Sequence, residues 1–322
     1  MTATPTTLTD LKIQADIIRE DIMLALSSAK SGHSAGPLGM ADIFTALYFK
    51  VLNINPKNPQ DPKRDYLILS NGHICPVLYA TLASRGYFPK KELLTLRKLG
   101  SRLQGHPHRT ALPGLETTSG PLGSGLSQAC GIALAHLRDK KTNNIFCICG
   151  DGEQNEGNHW EAVMFAAKYK LSNLIAITDR NFIQIDGPTE EIMPLGDLEQ
   201  KYKAFNWNTI TIDGNDMSQT IETLTAAKLN QNKPLMIIAK TVPGKGVDFM
   251  ENDYRWHGAP PGGLKTERSP EKDRQLSVAL AELHAKEATE RGAWYKVHNR
   301  LHPLHTTTII PSKKSPSPSP KK

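Results

Sequence analysis

Long apolar runs are missing from this 322-residue chain: no stretch reaches the roughly 18 uninterrupted apolar residues that a membrane-spanning helix needs. The amino-terminal segment, "MTATPTTLTDLKIQADIIRE", carries acidic residues and has no apolar core of a signal peptide. These absences predict a soluble, cytoplasmic protein with no membrane partner. Cysteine is scarce too. Cys75, Cys130, Cys147 and Cys149 make no CxxC and show no zinc-ligand spacing, so they are expected to be reduced thiols. Cys147 and Cys149 alternate with isoleucine and read as small core residues. No basic stripe interleaved with aromatics runs through the body, which argues against nucleic acid. The formal charge of +7 does not reverse this. The last twelve residues, "PSKKSPSPSPKK", hold Lys313, Lys314, Lys321 and Lys322, and without those four lysines +7 falls to +3. No internal repeat is visible.

Apolar residues make up 39% of the chain and charged ones 22%, enough to bury a sizeable core. Strand-like and helix-like runs alternate. "DYLILS" (65–70), "NIFCIC" (144–149), "LIAITD" (174–179), "NTITID" (208–213) and "LMIIAK" (235–240) read as strands. Helical spacing marks 8–30, with Thr9 or Asp10 as N-cap, and also 41–52, 127–140, 158–170, 218–230 and much of 270–300. The alternation predicts an α/β fold: a doubly wound, mainly parallel sheet with helices on both faces. Residues 1–305 are expected to form one domain. Residues 306–322, rich in Pro, Ser and Lys, are expected to be a disordered tail.

The stretch "ICGDGEQNEGNHWEA" (148–162) carries the chemistry. An apolar strand ends in Gly150-Asp151-Gly152, and the next strand ends just before Asn181. Neighbouring carboxyl ends of a doubly wound sheet open onto one crevice, where such folds bind ligands. Asp151, the amide oxygen of Asn181 and a backbone carbonyl would make a small oxygen set. That set suits magnesium, which fills its remaining positions with phosphate oxygens and water. Gly150 and Gly152 let the backbone approach a diphosphate, and a nearby helix N-terminus favours the anion. The plainer alternative is a pair of unrelated turns, since glycines around aspartate make turns. The run "GPLGSGLSQ" superficially suits a dinucleotide, but its third glycine position is Gln128 and no convincing strand precedes it.

"GDG", 28 intervening residues and then Asn resembles the thiamine diphosphate motif of thiamine-dependent enzymes. Four further stretches resemble transketolase, in order, up to about residue 265. "KSGHSAGPLGMADIF" carries His33, "LSNGHICPVLYA" carries His73, and "QGHPHRTALPGLETTSGPLGSGLS" carries His106, Gly120 and Leu122. The fourth, "GKGVDFMENDYRWHGAPP", ends in His257-Gly258 and Ala259-Pro260-Pro261. The resemblance implies that Asp151, Asn181 and the carbonyl of Ile183 bind Mg2+, for which Ca2+ or Mn2+ can substitute. It implies that Gly120, Leu122, Gly152, His73 and His257 lie against thiamine diphosphate. His33, His106 and His257 would line the substrate channel and handle hydroxyl protons. Glu156 and Glu161 resemble acidic residues that link two active sites across a dimer, although acids at a helix start are favourable without any such task. The other histidines, His108, His136, His159, His284, His298, His302 and His305, are read as ordinary, those from His284 onward as solvated.

Three departures from the family pattern bear on substrate choice. Ser34-Ala35-Gly36 stands where Pro-Gly and a small residue are usual. His108 occupies a position that is usually acidic, and no extra histidine precedes His257-Gly258. A single-chain transketolase is about twice as long, and its second half supplies the glutamate that activates the aminopyrimidine ring. The resemblance therefore implies the N-terminal subunit of a split transketolase. It would be paired, two of each chain, with a separate pyrimidine-binding C-terminal subunit. The pair would move a glycolaldehyde unit from a ketose phosphate to an aldose phosphate. Three alternatives remain: another two-carbon or acyl transfer on the same scaffold, an oxo-acid dehydrogenase component, or a non-catalytic scaffold or regulatory subunit.

Overall fold

A computed structural model describes residue 5, residues 7–230 and residues 232–291. Helix α1 (Leu8–Ala29) begins at Thr7. The Thr7 hydroxyl accepts from the Asp10 N–H at 3.1 Å, and the Asp10 carboxylate accepts from the Thr7 N–H at 3.0 Å. The cap is thus Thr7, not Thr9 or Asp10: Asp10 sits three residues inside and closes a reciprocal capping box. Two short helices follow, α2 (Ala35–Gly39) and α3 (Ala41–Ala46), and α3 runs into a wider π-helical turn over Leu47–Val51. The single helix expected over 41–52 is therefore two geometries, which apolar spacing does not tell apart.

The chain continues through β1 (Tyr66–Leu69), α4 (Cys75–Arg85), α5 (Ser124–Arg138), β2 (Ile145–Gly150), α6 (Gly157–Lys168) and β3 (Leu174–Arg180). A two-stranded hairpin, β4 (Ile183–Gln184) and β5 (Gly187–Pro188), leads to α7 (Thr189–Ile192) and α8 (Leu198–Ala204). Then come β6 (Asn208–Asp213), α9 (Met217–Ala227), β7 (Leu235–Lys240) and α10 (Gln275–Arg291). The five long strands form one sheet, all neighbours parallel, in the order β1-β2-β3-β7-β6.

Side-chain alternation along β2 divides two cores. Phe146 and Ile148 join Ile22, Phe44 and Leu78 on one side of the sheet. Ile145, Cys147 and Cys149 join Leu126, Ala133 and Val163 on the other. Helices α1, α3 and α4 thus cover one face, and α5 and α6 the other, as expected for a doubly wound sheet. All four cysteines are free and buried. Among the described residues no helix is long and apolar enough to cross a membrane.

Of the 270–300 segment, a 3-10 turn covers Lys272–Arg274 and α10 covers Gln275–Arg291, while residues 292–300, His298 included, lie outside the described residues, as do His302, His305 and the 306–322 tail. His284 is not simply solvated: its Nε2 lies 3.1 Å from the buried Glu20 carboxylate on α1, which raises its pKa. The sheet sets up the site by its register. Gly150 of β2 pairs with Asp179 of β3, so the chain leaves both strands at the same level, and β1 and β7 end beside them.

Candidate functional site

Asp151, one residue beyond β2, is 2% exposed. Its Oδ2 is saturated: Arg180 Nη1 and the Phe182 N–H each donate at 2.8 Å, and the Thr189 hydroxyl donates at 3.2 Å. Its Oδ1 is buried with no hydrogen-bond partner among the described residues. One oxygen is thereby held fixed while the other is left free to meet a ligand. Burial pushes the carboxyl up to about 6, although Arg180 pulls it down. Asn181 is oriented by two bonds: its Nδ2 donates to Asp179 Oδ2 at 2.9 Å, and its Oδ1 accepts from the Ile183 N–H at 3.1 Å. Asp179, fully enclosed, is pushed up to about 7 by burial. The turn that carries Asn181 is tight, with Phe182 at φ +63, a conformation uncommon outside glycine.

Three imidazoles cluster nearby. The ring centroids of His33 and His73 are 4.9 Å apart, those of His73 and His257 5.2 Å, and those of His33 and His257 5.6 Å. Two long loops are tied together to achieve this: the Ser34 hydroxyl donates to the Ala259 carbonyl at 2.5 Å, and the Gly244 N–H donates to the Ala35 carbonyl at 2.8 Å. His106 is the most open of the four. Its ring edge lies against Gly72, where a Cβ would come within 2.7 Å of Ser119 and 3.2 Å of both His106 Cδ2 and the Gly120 nitrogen. Glycine at 72 is therefore what lets the His106 and Gly120 segments close on the His73 turn. Burial, with His257, Arg97 and His106 adding, lowers His33 to about 3. Burial alone lowers His257 to about 4, and His73 also lies well below its usual value. All three are neutral rings at physiological pH. The Nδ1 atoms of His33 and His257 are buried and have no hydrogen-bond partner among the described residues.

Gly152 packs on Gln184, where a Cβ would meet its side chain at 3.3 Å. The Leu122 carbonyl accepts from Asn158 Nδ2 at 3.4 Å, which ties the glycine-rich loop to α6. Glu156 and Glu161 are exposed at the start of α6 and do not join the imidazole cluster. His159, read as ordinary, is buried with its Nε2 2.6 Å from the Tyr202 hydroxyl. Sequence reasoning missed Arg180, Asp179 and the buried carboxylate Glu153. A charged residue next to a motif carries no mark of burial until the fold closes over it. A groove of about 510 Å³ lined by Trp207, Ile210, Leu229 and Leu235 lies near the amino ends of β6 and β7, at the opposite edge of the sheet, and contains none of these groups.

Residues 11–273 match the family described as transketolase, thiamine diphosphate binding domain. The chain belongs to the transketolase family. It is 44% identical over 248 residues to the 6-deoxy-6-sulfo-D-fructose transketolase subunit of Clostridium sp. (strain MSTE9), covering 77% of this chain and 90% of that one. Against an apulose-4-phosphate transketolase subunit from Phocaeicola vulgatus the identity is 37% over 273 residues, covering 85% and 96%. Mouse transketolase is 38% identical over 252 residues, but only 40% of its length is covered. The crystal structure of Pichia stipitis transketolase in complex with sedoheptulose 7-phosphate superposes with a TM-score of 0.75 at 32% identity, covering 90% of this chain and 45% of that one. This transketolase chain thus spans nearly the whole length of relatives that are separate subunits, but under half of single-chain relatives. It is a transketolase-type enzyme chain built on the thiamine diphosphate binding domain.

The buried imidazoles of this transketolase chain have a consequence for stability. His257 sits at about 4 when folded and 6.5 as a free group, so below pH 6.5 the unfolded chain binds a proton that the folded chain does not. Stability from this residue is full above 6.5 and falls as the pH drops towards 4. Asp151 and Asp179, raised by burial, act with the opposite slope over the same range. Substitution isolates the contribution of the histidine. Relative to wild type, His257→Asn should gain about 2 kcal/mol between pH 8 and pH 5 in urea unfolding of the cofactor-free chain. An unchanged difference across that range would contradict a buried neutral His257.

Proposed function

We propose that this chain is the diphosphate-binding subunit of a two-chain transketolase. It works with a separate pyrimidine-binding chain, two of each, to pass a glycolaldehyde unit from a ketose phosphate to an aldose phosphate. The observation that carries this reading is a group of six buried, unpartnered polar atoms around the carboxyl ends of the central strands. Asp151 Oδ1, His33 Nδ1, His257 Nδ1, Asn71 Oδ1, Ser119 Oγ and Asn158 Oδ1 all lack a hydrogen-bond partner among the described residues. Orphaned polar atoms are costly when buried, and a polar ligand relieves that cost. The group fits them: a hard cation suits the bare carboxylate oxygen, and a diphosphate suits the glycine-lined space beside it.

Asp151, Asn181 and the carbonyl of Ile183 would hold the divalent cation, magnesium in the cell. His73, His257, Gly120, Leu122 and Gly152 would flank the diphosphate. Bound thiamine diphosphate supplies the nucleophilic carbon on which two-carbon transfer depends. The chain's own contribution is orientation and proton handling. Neutral rings at His33, His106 and His257 can each accept a hydrogen bond from a sugar hydroxyl at one nitrogen and donate at the other. They can therefore take a proton as a carbon–carbon bond breaks and return it to the acceptor. Glu156 and Glu161, exposed on α6, face the second copy in the assembly. Residues 1–305 form the working unit, residues 306–322 are a dispensable tail, and the assembly resides in the cytoplasm.

The donor sugar is open to a second reading. The separate-subunit relatives carry names for 6-deoxy-6-sulfo-D-fructose and apulose 4-phosphate, two different ketoses. The far end of the donor is therefore the variable part of the reaction. Turnover of several ketose phosphates with an aldose acceptor, measured on the chain alone and on the chain co-purified with its partner, tests the reading. The expected result is turnover only with the partner, and full turnover by the isolated chain would contradict it.

A further inference from the structure

Glu153 is a carboxylate with 1% of its surface exposed, two positions beyond Asp151, and nothing in the chemistry above uses it. Its Oε1 accepts from the Gly123 N–H at 2.7 Å and from the Ser70 hydroxyl, and its Oε2 accepts from the Gly150 N–H at 3.0 Å. Ser70 Oγ in turn accepts from the Gly125 N–H at 3.0 Å. These partners come from three separate segments: the end of β1, the glycine-rich loop entering α5, and the end of β2. They are the same three segments that carry His73, Gly120 with Leu122, and Asp151.

A buried negative charge does nothing to attract a diphosphate, so its presence here calls for another task. The loop supplies one. Gly123 stands at φ +78, and a Cβ there would come within 2.0 Å of Asn158 Oδ1, while a Cβ on Gly125 would come within 2.4 Å of Ser70. Such a crowded, left-handed entry to a helix needs acceptors for its first N–H groups. Glu153 and Ser70 provide them, through charge-assisted bonds that hold direction as well as distance.

We propose that Glu153 is the positioning residue of the cofactor site. It seals the first turn of α5 and holds the 120–125 loop in the shape that receives the diphosphate, without touching the cofactor itself. This rests on the cofactor reading given above. It also has a corollary: the amides of Gly123 and Gly125 are already committed, so the anion is received by other atoms of the loop.

The test uses Glu153→Gln and Ser70→Ala in the full chain co-purified with its partner. Glutamine keeps the shape but offers one acceptor oxygen, and its NH2 group must face at least one of the three donors. The dissociation constant of thiamine diphosphate with Mg2+ should rise at least tenfold in both variants. Amides of residues 120–126 should exchange with deuterium at least tenfold faster, while those of β7 stay unchanged. At saturating cofactor, kcat should recover to within about threefold of wild type, because the reacting groups are intact. Wild-type affinity and exchange in Glu153→Gln, or in Ser70→Ala if the first does not fold, would overturn the proposal. Acceleration of exchange throughout the sheet would overturn it as well, by showing a general structural role. Failure of the wild-type complex itself to bind thiamine diphosphate would instead overturn the cofactor reading.

Discussion

Asp151→Asn should abolish metal-dependent cofactor binding and lower kcat/KM by at least about 10³-fold, equivalent to ~4 kcal/mol of transition-state stabilisation. The reason lies in how the two carboxylate oxygens are divided. Oδ2 is already satisfied by Arg180, the Phe182 N–H and Thr189, so only Oδ1 is free to meet a cation. An asparagine keeps its oxygen on those donors and turns an NH2 group towards the place the cation must occupy. Charge and ligand are lost together, yet the packing is kept. Asp151→Ala should abolish binding equally but cost more stability. Arg180, 7% exposed, would lose one carboxylate and keep only Glu190, and stripping a partner from a buried pair costs about 3–5 kcal/mol. Calorimetric titration of thiamine diphosphate with Mg2+, together with urea unfolding, separates the two effects. Retention of more than a tenth of wild-type turnover by Asp151→Asn would contradict the assignment.

Replacing His33 or His257 by alanine should lower kcat by about 10²–10⁴-fold. The three clustered rings are kept neutral by burial and stand within 5.6 Å of one another, centre to centre. An imidazolium has no free nitrogen to act as a base, whereas a neutral ring can accept a proton as a hydroxyl gives one up. The two substitutions should differ in a second quantity. His33 is assigned to the sugar channel alone, so His33→Ala should leave the affinity for thiamine diphosphate within about threefold of wild type. His257 is assigned to both sugar and diphosphate, so His257→Ala should weaken cofactor binding as well. Titration of cofactor into each variant, followed by steady-state kinetics at saturating cofactor, distinguishes the two roles. Equal kcat in His33→Ala and wild type would remove His33 from the chemistry.

The sheet was legible because five runs of β-branched and apolar residues alternate with helix-period segments, and each predicted strand matches an observed one to within two residues. Asp151 and Asn181 were legible because strand ends in a parallel sheet have a fixed relation, which the Gly150–Asp179 register bears out. The histidine cluster was legible only through family likeness: positions 33, 73 and 257 share no local pattern, and closure of distant loops brings them together. Groups that act by being buried stayed hidden. Arg180 and Glu153 look like surface charges in a linear reading, and only the fold reveals that one clamps Asp151 and the other ties three loops. The short β4–β5 hairpin was missed for a related reason, since two-residue strands carry no periodicity. The assembly is a separate matter: this chain covers 96% of one separate-subunit relative but 40% of a single-chain enzyme.

The central claim is that this chain is half of a catalytic unit, and native mass spectrometry tests it most directly. The tagged chain would be purified from its own cell with Mg2+ and thiamine diphosphate present. The account predicts a complex of two copies of this chain, two copies of a second chain and two bound cofactors. A lone chain, or a homodimer that turns over sugar phosphates at full rate, would contradict it.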